Sequence, residues 1–155
     1  MFDTIAGLPL HPLVVHAVVV LVPLGAVLTM AVAVRPAWRA LTPWVVALDA
    51  AMVVASFVAV KTGEAFQTRL SGIRGGAAVA ASHASQGRLV PWVAIAVLVG
   101  GILVLLAGSR AALRIPAIAV AVIAGVTALA WVVVVGHSGA TDVWGYVTQT
   151  ASSGS

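Results

Sequence analysis

Hydrophobic residues in this chain fall into four runs. Each run approaches the roughly 20 residues needed to cross a bilayer. The first covers 12–34. Proline suits the first turn of a helix and drives the residue before it out of helical geometry. The span is therefore expected to start at Pro12, with His11 just outside it, and to stop at Arg35 and Pro36. Thr42 followed by Pro43 reads as an N-cap and a first-turn proline. That places the second span at 43–60, with Gly63 as a helix stop. A polar, glycine-bearing outer loop covers 62–76. The third span includes 91–107; it starts at Pro91, or as far back as Ala77 with a kink at Pro91. The fourth covers 116–136. The tail, 138–155, is too polar to insert, although "DVWGYV" suits the membrane surface. Pro23 predicts a kink in the first span and a Val19 carbonyl without its helical donor. The pattern predicts an all-α fold: an integral membrane bundle of four transmembrane helices, forming one domain over 1–155.

Composition agrees with the pattern. Hydrophobic residues make up 62% of the chain and charged residues only 8%, against about a quarter charged in a soluble domain. There is no cysteine, which excludes disulfides, thiolate metal sites, cysteine nucleophiles and thiolate-held iron–sulfur clusters. Small residues (Gly100, Gly101, Gly108, Ala117, Ala121 and Gly125) recur along the third and fourth spans, where they let helices approach closely. "AVA" at 31–33 resembles a signal-peptide cleavage site. The first run, however, has no Lys or Arg before it and is too long for a signal peptide. Abundant alanine and valine with little lysine points to a bacterial source.

The net charge is +4, and its meaning is topological rather than a sign of nucleic-acid binding. Arg35, Arg39, Arg110 and Arg114 crowd two short loops on one side. Lys61, Arg69, Arg74 and Arg88 are spread through longer segments on the other. Basic residues in short loops mark the cytoplasmic side. The expected location is the bacterial inner (plasma) membrane, with both termini outside. Trp38 and Trp44 then fit the inner aromatic belt, and Trp92 and Trp144 the outer one.

This topology puts all four histidines, His11, His16, His83 and His137, at one membrane face, contributed by three separate segments. At about 1.5 Å of rise per residue, His16 lies about 27 Å above the cytoplasmic end of its span and His137 about 33 Å above its own. His11 and His16 are about 140° apart around a regular helix, so one is expected to line a site and the other to support it. Imidazole suits haem iron, copper and zinc. Two histidines on facing helices can clamp one haem in a four-helix bundle. His16 and His137 are the expected axial pair, with His83 and His11 as a second pair or as the rim. Arg69, Arg74 and Arg88 are placed to hold haem propionates. Without haem, three or four of these imidazoles with Glu64 would make a copper or zinc site. Asp49 lies inside the second span, far from the histidines. It is expected to pair with an arginine of the other face or to hydrogen-bond Thr29, or else to serve a proton path. Ser82 and Ser138 each adjoin a histidine, but adjacency alone does not make a hydrolytic triad.

The opening "LPLHPLVVHAVVVLVPL" resembles the signature of a bacterial membrane family, domain of unknown function 2231. "VKTGEAFQTRL", "SHASQGRLVPW" and "VVGHSGATDVWGYV" follow in the order expected of that family. The resemblance covers most of the chain. It implies a small four-helix protein whose four histidines are the functional positions. Some members carry a fused Rieske iron–sulfur domain, which implies redox work at the outer face. This chain lacks such a domain and has Ala17 where an aromatic is common. The function these readings favour is a haem b electron-transfer protein, a carrier or subunit more than a stand-alone enzyme. Its partners would be the lipid bilayer and a quinol, a Rieske-type protein or a respiratory complex at the outer face, and it could form oligomers. The alternatives are a non-haem copper or zinc binder and an accessory structural subunit of a larger membrane complex.

Overall fold

The structure, a computed structural model, describes residues 4–5, 8–72 and 81–152. A two-rung antiparallel ladder pairs Thr4 with Pro9 and Ile5 with Leu8. The helices follow: α1 over Leu10–Val34, a 3-10 turn over Pro36–Leu41, α2 over Thr42–Ser71, α3 over Ala81–Gly87, α4 over Val90–Ala107 and α5 over Ala111–Ser152. Four stretches are long and apolar enough to cross a membrane: Leu10–Val34, Pro36–Arg69, Ala81–Ala107 and Ala111–Asp142.

Four of the helices are long; short connections make α1 antiparallel to α2 and α4 antiparallel to α5, and α3 lies between α2 and α4 in the chain. The four long helices close into a ring in which α1 packs on α2, α2 on α4, α4 on α5 and α5 back on α1. Small and medium side chains fill the centre: Val18, Val22 and Ala26 from α1, Met52 and Ala59 from α2, Ala94 and Val97 from α4, and Ala124 and Ala128 from α5. Spacings of three, four or seven residues put each set on one helix face. Bulky apolar residues point outward instead, with Val133 70% and Trp44 76% exposed. Where lipid is the solvent, burying large side chains confers no special advantage, and close backbone approach does more to hold helices together. Among the described glycines the tightest approach to another helix's backbone is at Gly100, where a β-carbon would stand 2.8 Å from the Ala121 Cα.

Helix boundaries differ from the sequence expectation in an informative way. α1 begins at Leu10, so His11 and Pro12 lie in its first turn; prolines are tolerated there because those N–H groups have no helical partner. α1 continues through Pro23. Gly63 does not end α2, and Gly136 does not end α5, which continues through the polar tail to Ser152. The expected outer loop is therefore helical up to Ser71. The third span is interrupted at Arg88 and Leu89 rather than kinked at Pro91, and Pro91 lies in the first turn of α4. Gly108 is not a packing residue. At φ 47° it caps the end of α4 in the left-handed region, which glycine enters at little cost.

Asp49 is completely buried in the middle of the ring. Its Oδ2 accepts a 2.6 Å hydrogen bond from Thr29 Oγ1 on α1, and no arginine reaches it among the described residues. Glycines make the room: a β-carbon on Gly25 would stand 2.7 Å from Oδ1, and one on Gly101 3.1 Å from Oδ2.

Candidate histidine site

His11 and His83 meet between α1, α2, α3 and α5. His11 projects from the first turn of α1 onto α2. Its Nδ1 donates to the Ala59 carbonyl at 3.1 Å and lies 3.4 Å from Thr62 Oγ1. Its ring stacks on Phe66 with centroids 6.1 Å apart. This is why α2 needs a glycine at 63. A β-carbon there would stand 2.9 Å from His11 Cε1, so the expected helix stop is in fact the seat of an imidazole.

His83 arrives from α3. Its Nδ1 donates to the Val135 carbonyl on α5 at 3.1 Å, and Gly139 leaves room for the ring, since a β-carbon there would stand 3.0 Å from Nδ1. Asp142, also on α5, fixes the start of α3. It accepts from Ser82 Oγ at 2.8 and 2.9 Å and from the His83 backbone N–H at 3.2 Å. Trp131 on α5 donates its indole N–H to the Gln86 carbonyl at 3.2 Å, holding the other end. Ser82 bonds the carboxylate and not an imidazole, so the group is an anchor for α3 rather than a nucleophilic triad.

The two imidazoles approach edge to face, with centroids 6.4 Å apart. A carbonyl oxygen only accepts, so each Nδ1 carries a proton. In a neutral ring the lone pair then resides on Nε2. Both rings line a cavity of about 150 Å³ with an apolar lower wall that includes Val18, Val90 and Val132, and with Glu64, Gln67 and Arg88 also on its lining.

The other sequence candidates are dispersed. His16 and His137, expected as the axial pair, are both exposed and neither lines the cavity. His16 Nδ1 bonds the Pro12 carbonyl of its own helix. Five residues beyond His11, it is turned away around α1. His137 is carried outward because α5 remains helical through Gly136, which leaves Ser138 as the buried neighbour. Glu64 lines the cavity but accepts from Lys61 Nζ at 3.0 Å in a surface pair. Arg88 borders the cavity from the turn before α4. Arg69 is exposed near the end of α2, and Arg74 lies outside the described residues. Among the described residues no three His, Asp or Glu side chains group closely enough to hold a metal ion. The expected site of three or four imidazoles plus Glu64 is therefore not assembled.

Two mid-helix glycines at this face, Gly63 and Gly136, give a test of opposite signs. Gly63→Ala brings the β-carbon against His11, and Gly136→Ala meets nothing within 4 Å. Alanine is favoured over glycine in a helix by about 1 kcal/mol, whereas overpacking costs about 1–3 kcal/mol. Gly136→Ala is expected to raise the thermal midpoint in detergent and Gly63→Ala to lower it. Equal shifts in the same direction would mean that Gly63 is not the seat of His11.

The sequence profile of the DUF2231 family, described as predicted membrane proteins, matches residues 7–152. The chain belongs to this family and is a multi-pass membrane protein. No curated protein and no solved structure matches it.

Proposed function

We propose that this protein holds a haem b at its histidine-bearing face and passes electrons there. The observation that carries the reading is the His11–His83 pair: two imidazoles from separate helices, each with Nδ1 tied to a backbone carbonyl, on the wall of one cavity. A second bond of this kind sets the tautomer and orientation of a metal-binding histidine. The ring centres lie 6.4 Å apart, so His11 and His83 would both be available to one bound group. The lack of a third protein ligand among the described residues favours haem over bare copper or zinc. A haem brings most of its iron's ligands with it, so His11 and His83 would suffice to hold it, whereas structural zinc sites usually take four ligands from the protein.

When bound, haem supplies one-electron redox chemistry. The chain's part is to fix both imidazoles, to exclude water with the valine wall, and to offer Arg88 as a partner for a propionate. In this reading the site lies at the outer face of a bacterial plasma membrane, with both termini on that side, and exchanges electrons with a redox partner there. The test is an absorption spectrum of the detergent-purified protein, oxidised and then reduced. A Soret band that shifts on reduction is expected. A colourless protein that takes up no haem overturns the proposal.

A further inference from the structure

The opposite face of the bundle carries a feature that the histidine site does not explain. Arg35, Arg39, Arg110 and Arg114 all lie at this end, beside the 3-10 turn and the α4–α5 connection. The chain has four acidic residues. Asp49 is buried in the ring, Asp3 precedes the first span, and Glu64 and Asp142 belong to the histidine face. The arginine face therefore has no carboxylate of its own. Arg35 covers the Trp38 ring, 5.2 Å from its centroid. Among the described residues none of the four guanidinium groups has an acceptor.

Arg39 and Arg114 differ from the other two in being half-buried. They line one notch, together with Ala33, Val104, Ala107, Gly108, Ala117 and Ile118. The Arg114 Nε is fully buried and lacks a hydrogen-bond partner. A buried donor left unpaired is costly, and an acceptor supplied by a water or a bound ligand is how a native fold relieves that cost. The notch is about 10 Å³, room for about one water-sized atom. A phosphate oxygen fits it, but a whole soluble anion does not. The rest of the ligand has to lie on the flanking surface, which is strongly apolar: Leu106 is 62% exposed and Ile115 76%.

We propose that Arg39 and Arg114 form a binding site for the phosphodiester of an anionic phospholipid. One phosphate oxygen enters the notch and the acyl chains lie along the exposed apolar residues of α4 and α5. Guanidinium forks suit phosphate geometry, and basic pockets between membrane helices are a known mode of anionic lipid recognition. The apolar flank favours a lipid over free phosphate.

Native mass spectrometry of the full-length protein in detergent tests this, with phosphatidylglycerol, phosphatidylcholine and inorganic phosphate as probes. Two arginines at about 1 kcal/mol each correspond to a preference for phosphatidylglycerol over phosphatidylcholine of about thirtyfold. Arg39→Gln/Arg114→Gln is expected to abolish that preference, and Arg35→Gln/Arg110→Gln to keep it. No preference in the wild-type protein overturns the proposal without recourse to any variant. So does an equal loss in both double variants, which would indicate only a diffuse basic field, or displacement of the lipid by millimolar phosphate, which would indicate a free-phosphate site. Unfolding midpoints of each variant without lipid establish that it is folded.

Discussion

His11→Gln and His83→Gln are each expected to remove the reduced-minus-oxidised haem spectrum, while His16→Gln and His137→Gln leave it intact. The contrast follows from geometry. His11 and His83 line one cavity from two helices, and His16 and His137 are exposed. Loss of a supporting hydrogen bond alone typically costs 10–100-fold in metal affinity, so loss of an axial ligand is expected to exceed about 100-fold. Retention times and far-ultraviolet dichroism show whether each variant is folded. His83→Met provides a readout that a purely structural histidine would not move: a methionine–histidine pair raises the reduction potential, so the band is expected to persist at a more positive midpoint. If His16→Gln or His137→Gln bleaches the protein and His11→Gln does not, the assigned pair is wrong. If all four variants keep a normal spectrum, histidine ligation itself is wrong.

The four spans and the clustering of histidines at one end were legible because both depend on the order of segments alone. Antiparallel helices bring every odd start and even end to the same face, whatever their rotation. Which histidines meet was not legible, because it depends on where the helices end and how they are turned. Gly63 and Gly136 look like helix stops in one dimension. α2 and α5 instead continue through them, with an imidazole packed where the Gly63 side chain would be. That continuation turns His137 out. The start of α1 at Leu10 makes His11 part of the helix and brings it onto α2. The role of Asp142 was not legible for a related reason. Its partners Ser82 and His83 lie 60 and 59 residues away, and it lies in the polar tail, beyond the expected end of the fourth span at 136. The Asp49–Thr29 bond was foreseeable because each is a rare polar residue within an apolar run.

That bond carries the second large effect. Thr29→Val is expected to destabilise the bundle more than the double substitution Thr29→Val/Asp49→Leu. An interhelical hydrogen bond in a membrane is worth only about 0.6 kcal/mol on average, and its mean value is not what decides the outcome. Asp49 Oδ1 already has no partner, and Thr29 Oγ1 supplies the hydrogen bond on Oδ2. Valine at 29 leaves a completely buried carboxyl with neither oxygen satisfied, a penalty of about 1–3 kcal/mol or more. The added Asp49→Leu removes the orphan group and retains volume, and replacing both members of a buried polar pair with apolar residues is often neutral. The glycine slot limits the recovery, because a branched side chain has to fit where a β-carbon on Gly25 or Gly101 would already stand 2.7 or 3.1 Å from the carboxylate; Asp49→Asn in the Thr29→Val background, closer in shape, separates that steric cost from the electrostatic one. Unfolding in mixed detergent, followed by helical dichroism, measures the cycle. A double variant less stable than Thr29→Val by the full cost of Asp49→Leu alone would mean that the two side chains act independently, and that Asp49 is held by its glycine packing rather than by Thr29.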